Sequence, residues 1–315
     1  MLSEGHIYET TTLFLSQDPH IMSDSISAVP ERLRNTIQEQ SCIEGMAELP
    51  ADSVDLVIAD PPYNLSKGAD WSWDNEADLD GFGGEWDKTM EHWDDMGLEE
   101  YAAFTRSWLS EVRRVLKPTG SIWTFGSYHN IGVVNVLYQK LGIEIINEII
   151  WFKRNAFPNL SGRRFTASHE TLLWGHTGGP DNREYTFNYE LMKAREFPED
   201  NINDEDKQVR TVWDIPNNKS KEELEFGKHP TQKPLRVLER LVISASNEGD
   251  LCLVPFAGSG SACVSAKLNG RDYLGYEVES EHAELARTRL KNAEDKPEQL
   301  QNATSENQGT LDQYD

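Results

Sequence analysis

Apolar residues along this chain cluster into short runs stopped by glycine, proline or a carboxylate. Val54-Asp55-Leu56-Val57-Ile58-Ala59 ends at Asp60, Leu251-Cys252-Leu253-Val254 ends at Pro255, and Asp272-Tyr273-Leu274-Gly275-Tyr276 ends at Glu277. Near-continuous runs of this length predict strands buried on both faces of a sheet. Other stretches carry the helical period. Tyr101, Phe104, Trp108, Leu109, Val112 and Leu116 form a core-facing stripe over 98–116, and 129–141, Ser261 to Asn269 and 280–292 also read as helices. Lys117-Pro118-Thr119-Gly120 reads as a turn before a strand from Ser121 to Phe125. Ile143 to Phe152 predicts a strand or strand pair, and Thr171 to Trp174 a further strand. Strands alternating with helices predict an α/β fold built on a doubly wound, mostly parallel sheet.

Two of the strand ends carry chemistry. Asp60-Pro61-Pro62-Tyr63 follows the first run, at the end of a strand where open α/β sheets bind ligands. A carboxylate there can accept a hydrogen bond from an exocyclic amine, whose lone pair is otherwise delocalised into its ring. Two prolines lack N–H groups and fix φ, so Pro61 and Pro62 form a rigid turn able to aim a carbonyl at the second amine hydrogen. Tyr63 offers a flat face to an unstacked base. In isolation the same residues also read as a proline-rich turn with an ordinary buried tyrosine. The second strand runs into Pro255-Phe256-Ala257-Gly258-Ser259-Gly260, whose glycines permit positive φ and close backbone approach. Glu277 lies 17 residues after Gly260, a spacing at which a βαβ acidic residue takes ribose hydroxyls.

Taken together, these motifs resemble the S-adenosylmethionine-dependent amino-methyltransferases of DNA. The catalytic motif precedes the glycine loop by nearly 200 residues, an order that looks like the β group of that family, as does His229-Pro230-Thr231-Gln232-Lys233-Pro234. Glu85-Trp86-Asp87, Gly126-Ser127-Tyr128-His129-Asn130-Ile131, Pro158-Asn159-Leu160, Arg164-Phe165, His169-Glu170-Thr171-Leu172 and Tyr185-Thr186-Phe187-Asn188-Tyr189 narrow the likeness to the GANTC-type adenine-N6 enzymes, over about residues 38–292. The resemblance implies a Rossmann-like methyltransferase core, adenine as the target base, Lys233 as a partner for the cofactor carboxylate, and Phe256 near the cofactor's adenine or sulfonium. It also implies cofactor contacts at Ser41 and Cys42. The chain departs from the family twice: Val254-Pro255-Phe256 replaces Asp-Pro-Phe, and Gln40-Ser41-Cys42 replaces Gly-Asp-Cys. Each change removes a carboxylate near the cofactor and puts its affinity in question.

The organisation expected is an N-terminal arm (1–37), a catalytic half of the core (38–152), a target-recognition segment (153–228), a cofactor-binding half (229–292) and a disordered acidic tail (293–315). Residues 64–97 hold Trp71, Trp73, Trp86 and Trp93 in a loop too long for a mere connection. Trp86 is a candidate for DNA contact. The 153–228 segment concentrates cations and amides, of which Lys153, Arg154, Asn159, Arg163, Arg164 and Arg210 are the candidate DNA contacts. Arg163-Arg164 is the densest basic point, and the alternative there is a solvated loop or internal ion pair. His169-Glu170 reads as structural because it introduces an apolar strand.

Composition adds one complication. Asp and Glu total 54 against 30 Lys and Arg, a formal charge of −24, although phosphate contacts dominate DNA affinity. A salt-adapted, halophilic protein accounts for this, since molar salt shrinks the Debye length to ~3 Å. The alternative is acid concentrated in the tails and one loop. No apolar run approaches the ~18 residues of a membrane span. Cys42, Cys252 and Cys263 are isolated, which fits a reduced cytoplasm and no metal site. The expected activity is methyl transfer to adenine N6 in double-stranded DNA by base flipping, with S-adenosyl-L-methionine as cofactor. The expected partners are a second copy of the chain and a cognate restriction endonuclease. Cytosine-N4 methylation, or a DNA-binding homologue with weak or lost activity, are the alternatives.

Overall fold

The computed structural model describes residues 28–63 and 96–295, apart from 157, 159–162, 182, 196, 202–206 and 228–231. Trp86, Asn159, and the long loop's other tryptophans therefore lie outside the described residues.

Among the described residues, eight strands form one sheet: β1 (Thr36–Glu39), β2 (Val54–Ala59), β3 (Leu116–Gly126), β4 (Glu144–Phe152), β5 (His169–His176), β6 (Val212–Asp214), β7 (Leu251–Val254) and β8 (Asp272–Glu277), in the spatial order β1-β8-β7-β2-β3-β5-β4-β6. Neighbours are parallel except that β5 runs against both β3 and β4. The described helices are α1 (Cys42–Ala47), α2 (Leu98–Val115), α3 (Ile131–Leu141), α4 (Tyr189–Ala194), α5 (Leu235–Ala245), α6 (Ser261–Leu268) and α7 (Ser280–Asp295). None of them is long and apolar enough to cross a membrane.

The period of two along the strands assigns each side chain to one of two cores. Leu56 and Ile58 of β2 pack with Cys252 and Val254 of β7 against α5, α6 and α7. Val57 and Ala59 pack with Leu251 and Leu253 against α1, α2 and α3. With helices on both faces, the strands need apolar residues at nearly every position, which explains the uninterrupted runs in the sequence. On the β3–β5 side, Trp123 and Trp174 are directly opposed in the ladder and stack with ring centroids 4.9 Å apart.

β2 and β7 lie side by side at the centre, with Leu56 opposite Cys252. From β2 the chain continues outward to β3; from β7 it continues the other way to β8. This is the point where the winding reverses, and it opens a crevice at the carboxyl ends of both strands. The two sequence motifs meet there.

Three expectations need adjusting. Lys117-Pro118-Thr119-Gly120 does not separate a helix from a strand; it bulges within β3, since Val54 pairs with Leu116 and Leu56 next pairs with Ser121. Lys117 pairs with Asp55 at 2.7 Å, and a Cβ at Gly120 would sit 2.6 Å from the Asp55 carbonyl, so the bulge is built around Asp55. The arm expected at 1–37 ends too late, because β1 starts at Thr36 and Val29 and Leu33 are buried. The segment 153–228 is not wholly apart from the core either: β5 and β6 are strands of the sheet and α4 makes its own small core with Phe197 and Ile243 of α5. Its basic and amide-rich composition set it apart as an insertion, although the strand expected from Thr171 to Trp174 lies buried between β3 and β4.

Candidate active site

Asp60 emerges from β2 into the crevice, and the proline turn behind it is fixed from α2. Tyr101 Oη donates to the Pro62 carbonyl at 3.1 Å and accepts from Asn130 Nδ2 at 3.0 Å. Tyr101 and Asn130 are fully buried, so this brace is protected from water.

Three charged side chains and one hydroxyl gather around Asp60. Lys233 Nζ donates to Asp60 Oδ2 at 2.6 Å. Tyr63 Oη lies 2.8 Å from Asp60 Oδ1 and 3.0 Å from Glu170 Oε2. Lys153 Nζ donates to Glu170 Oε1 at 3.0 Å, and Lys233 Nζ is 3.6 Å from Glu170 Oε2. The Lys233 ammonium also stands over the Tyr63 ring at 5.1 Å and the Phe125 ring at 5.2 Å.

The environment sets the protonation of each group. Burial raises the Asp60 carboxyl above its ordinary value, against the pull of Lys233. Burial also opposes ionisation of Glu170, but Lys233 and Lys153 outweigh it and hold that carboxyl low. For Lys233, burial works against the charge and the two carboxylates more than restore it. Tyr63 is pushed well up by burial and by both carboxylates, so it stays a hydroxyl with a single proton to donate.

Next to this cluster is a cavity of about 330 Å³, lined on one side by Asp60, Pro61, Pro62, Tyr63 and Lys233 and on the other by the glycine loop. Of the residues expected at a cofactor, Ser41, Cys42, Asp60, Lys233, Pro255, Phe256, Ala257, Gly258, Ser259 and Glu277 all line it. Gly260 does not. It starts α6 at φ +75°, and a Cβ there would lie 2.7 Å from that of Ala286, so its smallness serves the packing of α7.

The Glu277 carboxylate tightens the loop: Oε2 accepts from Gly258 N at 2.7 Å, and Oε1 from Val278 N and Glu279 N at 2.9 and 3.0 Å. A carboxylate has about four acceptor positions, which leaves capacity for a ribose hydroxyl. Phe256 packs edge-on to Trp108 at 5.4 Å and tilted to Phe104 at 6.1 Å, giving the cavity an aromatic wall. Ser41 leads into α1, and burial pushes the Cys42 thiol up to about 12, which makes it a wall rather than a nucleophile. The cavity thus fits a nucleoside bearing a charged chain, with an acidic group at one end and an ammonium at the other. It does so without the two carboxylates missing from the family pattern, since Val254 is buried in the wall and Ser41 lines the cavity.

Sequence reasoning missed several residues here. Arg289 of α7 is buried and donates to the Ser259 carbonyl at 2.6 Å and Ser261 Oγ at 2.8 Å, holding the loop from behind. Met96, Phe104 and His282 line the cavity. Glu170 was read as structural, yet it accepts a hydrogen bond from Tyr63 in the Asp-Pro-Pro-Tyr motif.

The expected DNA contacts divide. Lys153 is mostly buried against Glu170, and Arg154 is held by Asp214 at 2.9 Å and by the Glu199 and Asp214 carbonyls. Both are committed inside the chain. Arg163, Arg164 and Arg210 are exposed. Arg164 Nη1 donates to Tyr128 Oη at 3.0 Å, and Phe165 beside it is 98% exposed.

Residues 54–288 match the DNA methylase (N6/N4) family. The chain belongs to that family. It is 37% identical to the Type II methyltransferase M.HinfI of Haemophilus influenzae, over 85% of this chain and 71% of that one. It is 40% identical to the Type II methyltransferase M2.DpnII of Streptococcus pneumoniae, over 78% of this chain and 85% of that one. Among solved structures, a Thermus thermophilus protein in complex with S-adenosyl-L-methionine aligns with TM-score 0.54 and 25% identity, covering 82% of this chain and 94% of that one. PvuII DNA methyltransferase, titled cytosine-N4-specific, shares the fold with TM-score 0.62 at 16% identity, covering 88% and 95%. The enzyme is therefore an S-adenosylmethionine-dependent DNA methyltransferase, as its two motifs led us to expect.

Proposed function

We propose that the enzyme methylates the N6 amine of adenine, flipped out of duplex DNA into the crevice beside Tyr63. The observation that carries this reading is the Asp60-Pro61-Pro62-Tyr63 turn standing at the wall of the nucleoside cavity, with its carboxylate buried beside Lys233 and Tyr63.

S-adenosyl-L-methionine supplies an electrophilic methyl group on its sulfonium. Glu277 and the glycine loop bind its ribose, and Phe256 its apolar parts. Asp60 accepts a hydrogen bond from the target amine and the Pro61 carbonyl accepts the other, drawing the nitrogen toward tetrahedral geometry. Lys233 covers one face of the Tyr63 ring, so a flipped base stacks on the other. As the amine nitrogen bonds to the methyl carbon, the carbon–sulfur bond breaks and its electron pair stays on sulfur, leaving S-adenosylhomocysteine; the cationic amine then passes a proton to Asp60 or to solvent, so Asp60 need not be a strong base. Catalysis then rests on positioning and electrostatics.

Arg163, Arg164 and Phe165 lie at the same edge of the sheet as Asp60, because they precede a strand that runs backwards. They are suited to phosphate and base contacts on the DNA around the flipped nucleotide. GANTC-type specificity, a homodimer, a cognate endonuclease and a cytoplasmic, salt-rich setting complete the proposal. The motifs support the GANTC-type reading, the two Type II relatives the cognate endonuclease, and the charge of −24 the salt-rich setting, while the homodimer and the cytoplasm rest on analogy with related enzymes.

The test is transfer of labelled methyl from S-adenosylmethionine to unmethylated DNA, at low salt and in molar KCl, with the modified nucleoside identified by mass spectrometry. N6-methyladenine supports the proposal, and N4-methylcytosine replaces it with the alternative target. Absence of any methylated base from folded protein would assign the chain to DNA binding without transfer.

A further inference from the structure

Asp60 is not poised for its task as it stands. Tyr63 takes one oxygen and the Lys233 ammonium takes the other at 2.6 Å. An amine that becomes cationic as its nitrogen is methylated is repelled by a second cation on the same carboxylate. Asp60 must shed Lys233 to do what the reaction asks of it.

Glu170 is placed to receive what Asp60 sheds. It is the second residue of β5, which runs against its neighbours on both sides, and this reversal carries its carboxylate to the edge where β2 ends. Its Oε2 is already 3.0 Å from Tyr63 Oη and 3.6 Å from Lys233 Nζ. A charge-assisted bond spans about 2.7–2.9 Å, so a shift of less than an ångström moves the lysine from one acid to the other. Lys153, bonded to Oε1, anchors Glu170 from the far side. The charged groups facing Glu170 are Lys153 and Lys233, with Asp60 beyond Tyr63 and Lys219 sensed through space. Two carboxylates and the two contacting ammoniums balance, so the exchange leaves the cluster's net charge unchanged.

We propose that Glu170 is a positioning residue that takes over the Tyr63 hydroxyl and the Lys233 ammonium when Asp60 turns to the target amine. No covalent bond changes in this exchange; two hydrogen bonds move from one carboxylate to another. The proposal rests on the functional reading above.

Glu170→Gln keeps the size and an acceptor oxygen but loses the charge that draws Lys233 away. Its kcat for methyl transfer should fall about 10–100-fold, the cost of one bond between charged groups, while KM for S-adenosylmethionine and for DNA stays within about threefold. The same substitution in a Lys233→Met background should cost much less, because there is no ammonium to remove from Asp60. Glu170→Asp, which keeps the charge but withdraws it by one methylene, should fall between wild type and Glu170→Gln. A wild-type kcat in Glu170→Gln or in Glu170→Asp, or an equal loss with and without Lys233, overturns the hand-over while transfer by the wild-type enzyme keeps the functional reading. No transfer by the wild-type enzyme overturns both.

Discussion

Lys233 Nζ and Asp60 Oδ2 lie 2.6 Å apart although 173 residues separate them in the chain. The lysine that the family resemblance assigned to the cofactor is, in this structure, the counter-ion of the Asp60 carboxylate. Both roles are open to a side chain that sits between the cavity and the acid, and the pair ties cofactor site to base site.

That pair sets the acid side of the pH profile. On the proposed mechanism transfer requires ionised Asp60, and burial raises its pKa while Lys233 pulls it back down. Activity is therefore lost as pH falls through a value above the ordinary 3.8 of an aspartate. Removing the ammonium with Lys233→Met takes away the lowering influence, so the acid limb of kcat/KM should move to higher pH. A limb that stays in place or moves down would show that Lys233 does not act on Asp60.

Asp60→Ala should reduce transfer by at least about 10²–10³-fold, the magnitude of losing one group aimed at developing charge, while DNA affinity is retained. Filter binding and single-turnover kinetics on the same preparation separate the two. Unchanged turnover would remove Asp60 from the mechanism.

Gly260→Ala should act on stability. Its new Cβ meets that of Ala286 at 2.7 Å, at a φ of +75°, and overpacking of this kind costs about 1–3 kcal/mol. Urea unfolding should show the loss. Glu277→Ala, in contrast, removes the acceptor of three backbone amides and the proposed ribose partner, so calorimetry with S-adenosylhomocysteine should show affinity down by about tenfold or more.

The two arginines of the recognition segment should separate in the same way. Arg164→Ala should lower DNA affinity and reduce the salt slope by about one unit, with little change in unfolding. Arg154→Ala breaks the ion pair with Asp214 and two bonds to carbonyls, and should instead lower the midpoint of thermal unfolding.

Lys219 provides a stability signature. Burial first, and then repulsion from Lys233, bring its pKa from 10.5 down to about 8. Between those values the unfolded chain binds more protons than the folded one, so this residue's contribution to stability rises with pH. Lys219→Gln should thus stabilise relative to wild type below about pH 8 and lose that advantage toward pH 10.5. Denaturant titrations at three pH values give the difference directly.

The central strands could be read from the chain because burial on both faces forces apolar residues at every step, and turn residues mark where each strand stops. Asp60 and Glu277 were legible for the same reason, since each closes such a run, and Tyr63 because it completes the proline turn that Asp60 begins. Glu170 was not, because it begins its strand. Residues that precede a strand belong to the catalytic edge only if that strand is antiparallel, and no local pattern in Thr171 to Trp174 gives direction. Lys153 misled for a related reason: a cation after an apolar strand looks solvated until its partner arrives from β5. The wedge of polar residues around β5 and β6 concealed that this stretch holds part of the core.

The pairing of β2 with β7 has a consequence for synthesis. Leu56 and Cys252 are neighbours in the sheet, and Thr36 of β1 pairs with Leu274 of β8. As the chain leaves the ribosome, β2 and β3 can join early, but the other edge of β2 stays open until the residues of β7 have emerged. Until then the nascent chain exposes an apolar, half-paired strand that ends at Asp60, a state prone to association with other chains. The elements from β7 to α7 close that edge and create the nucleoside cavity in one stroke, so a ribosome-bound chain should gain that cavity and its protection from aggregation together.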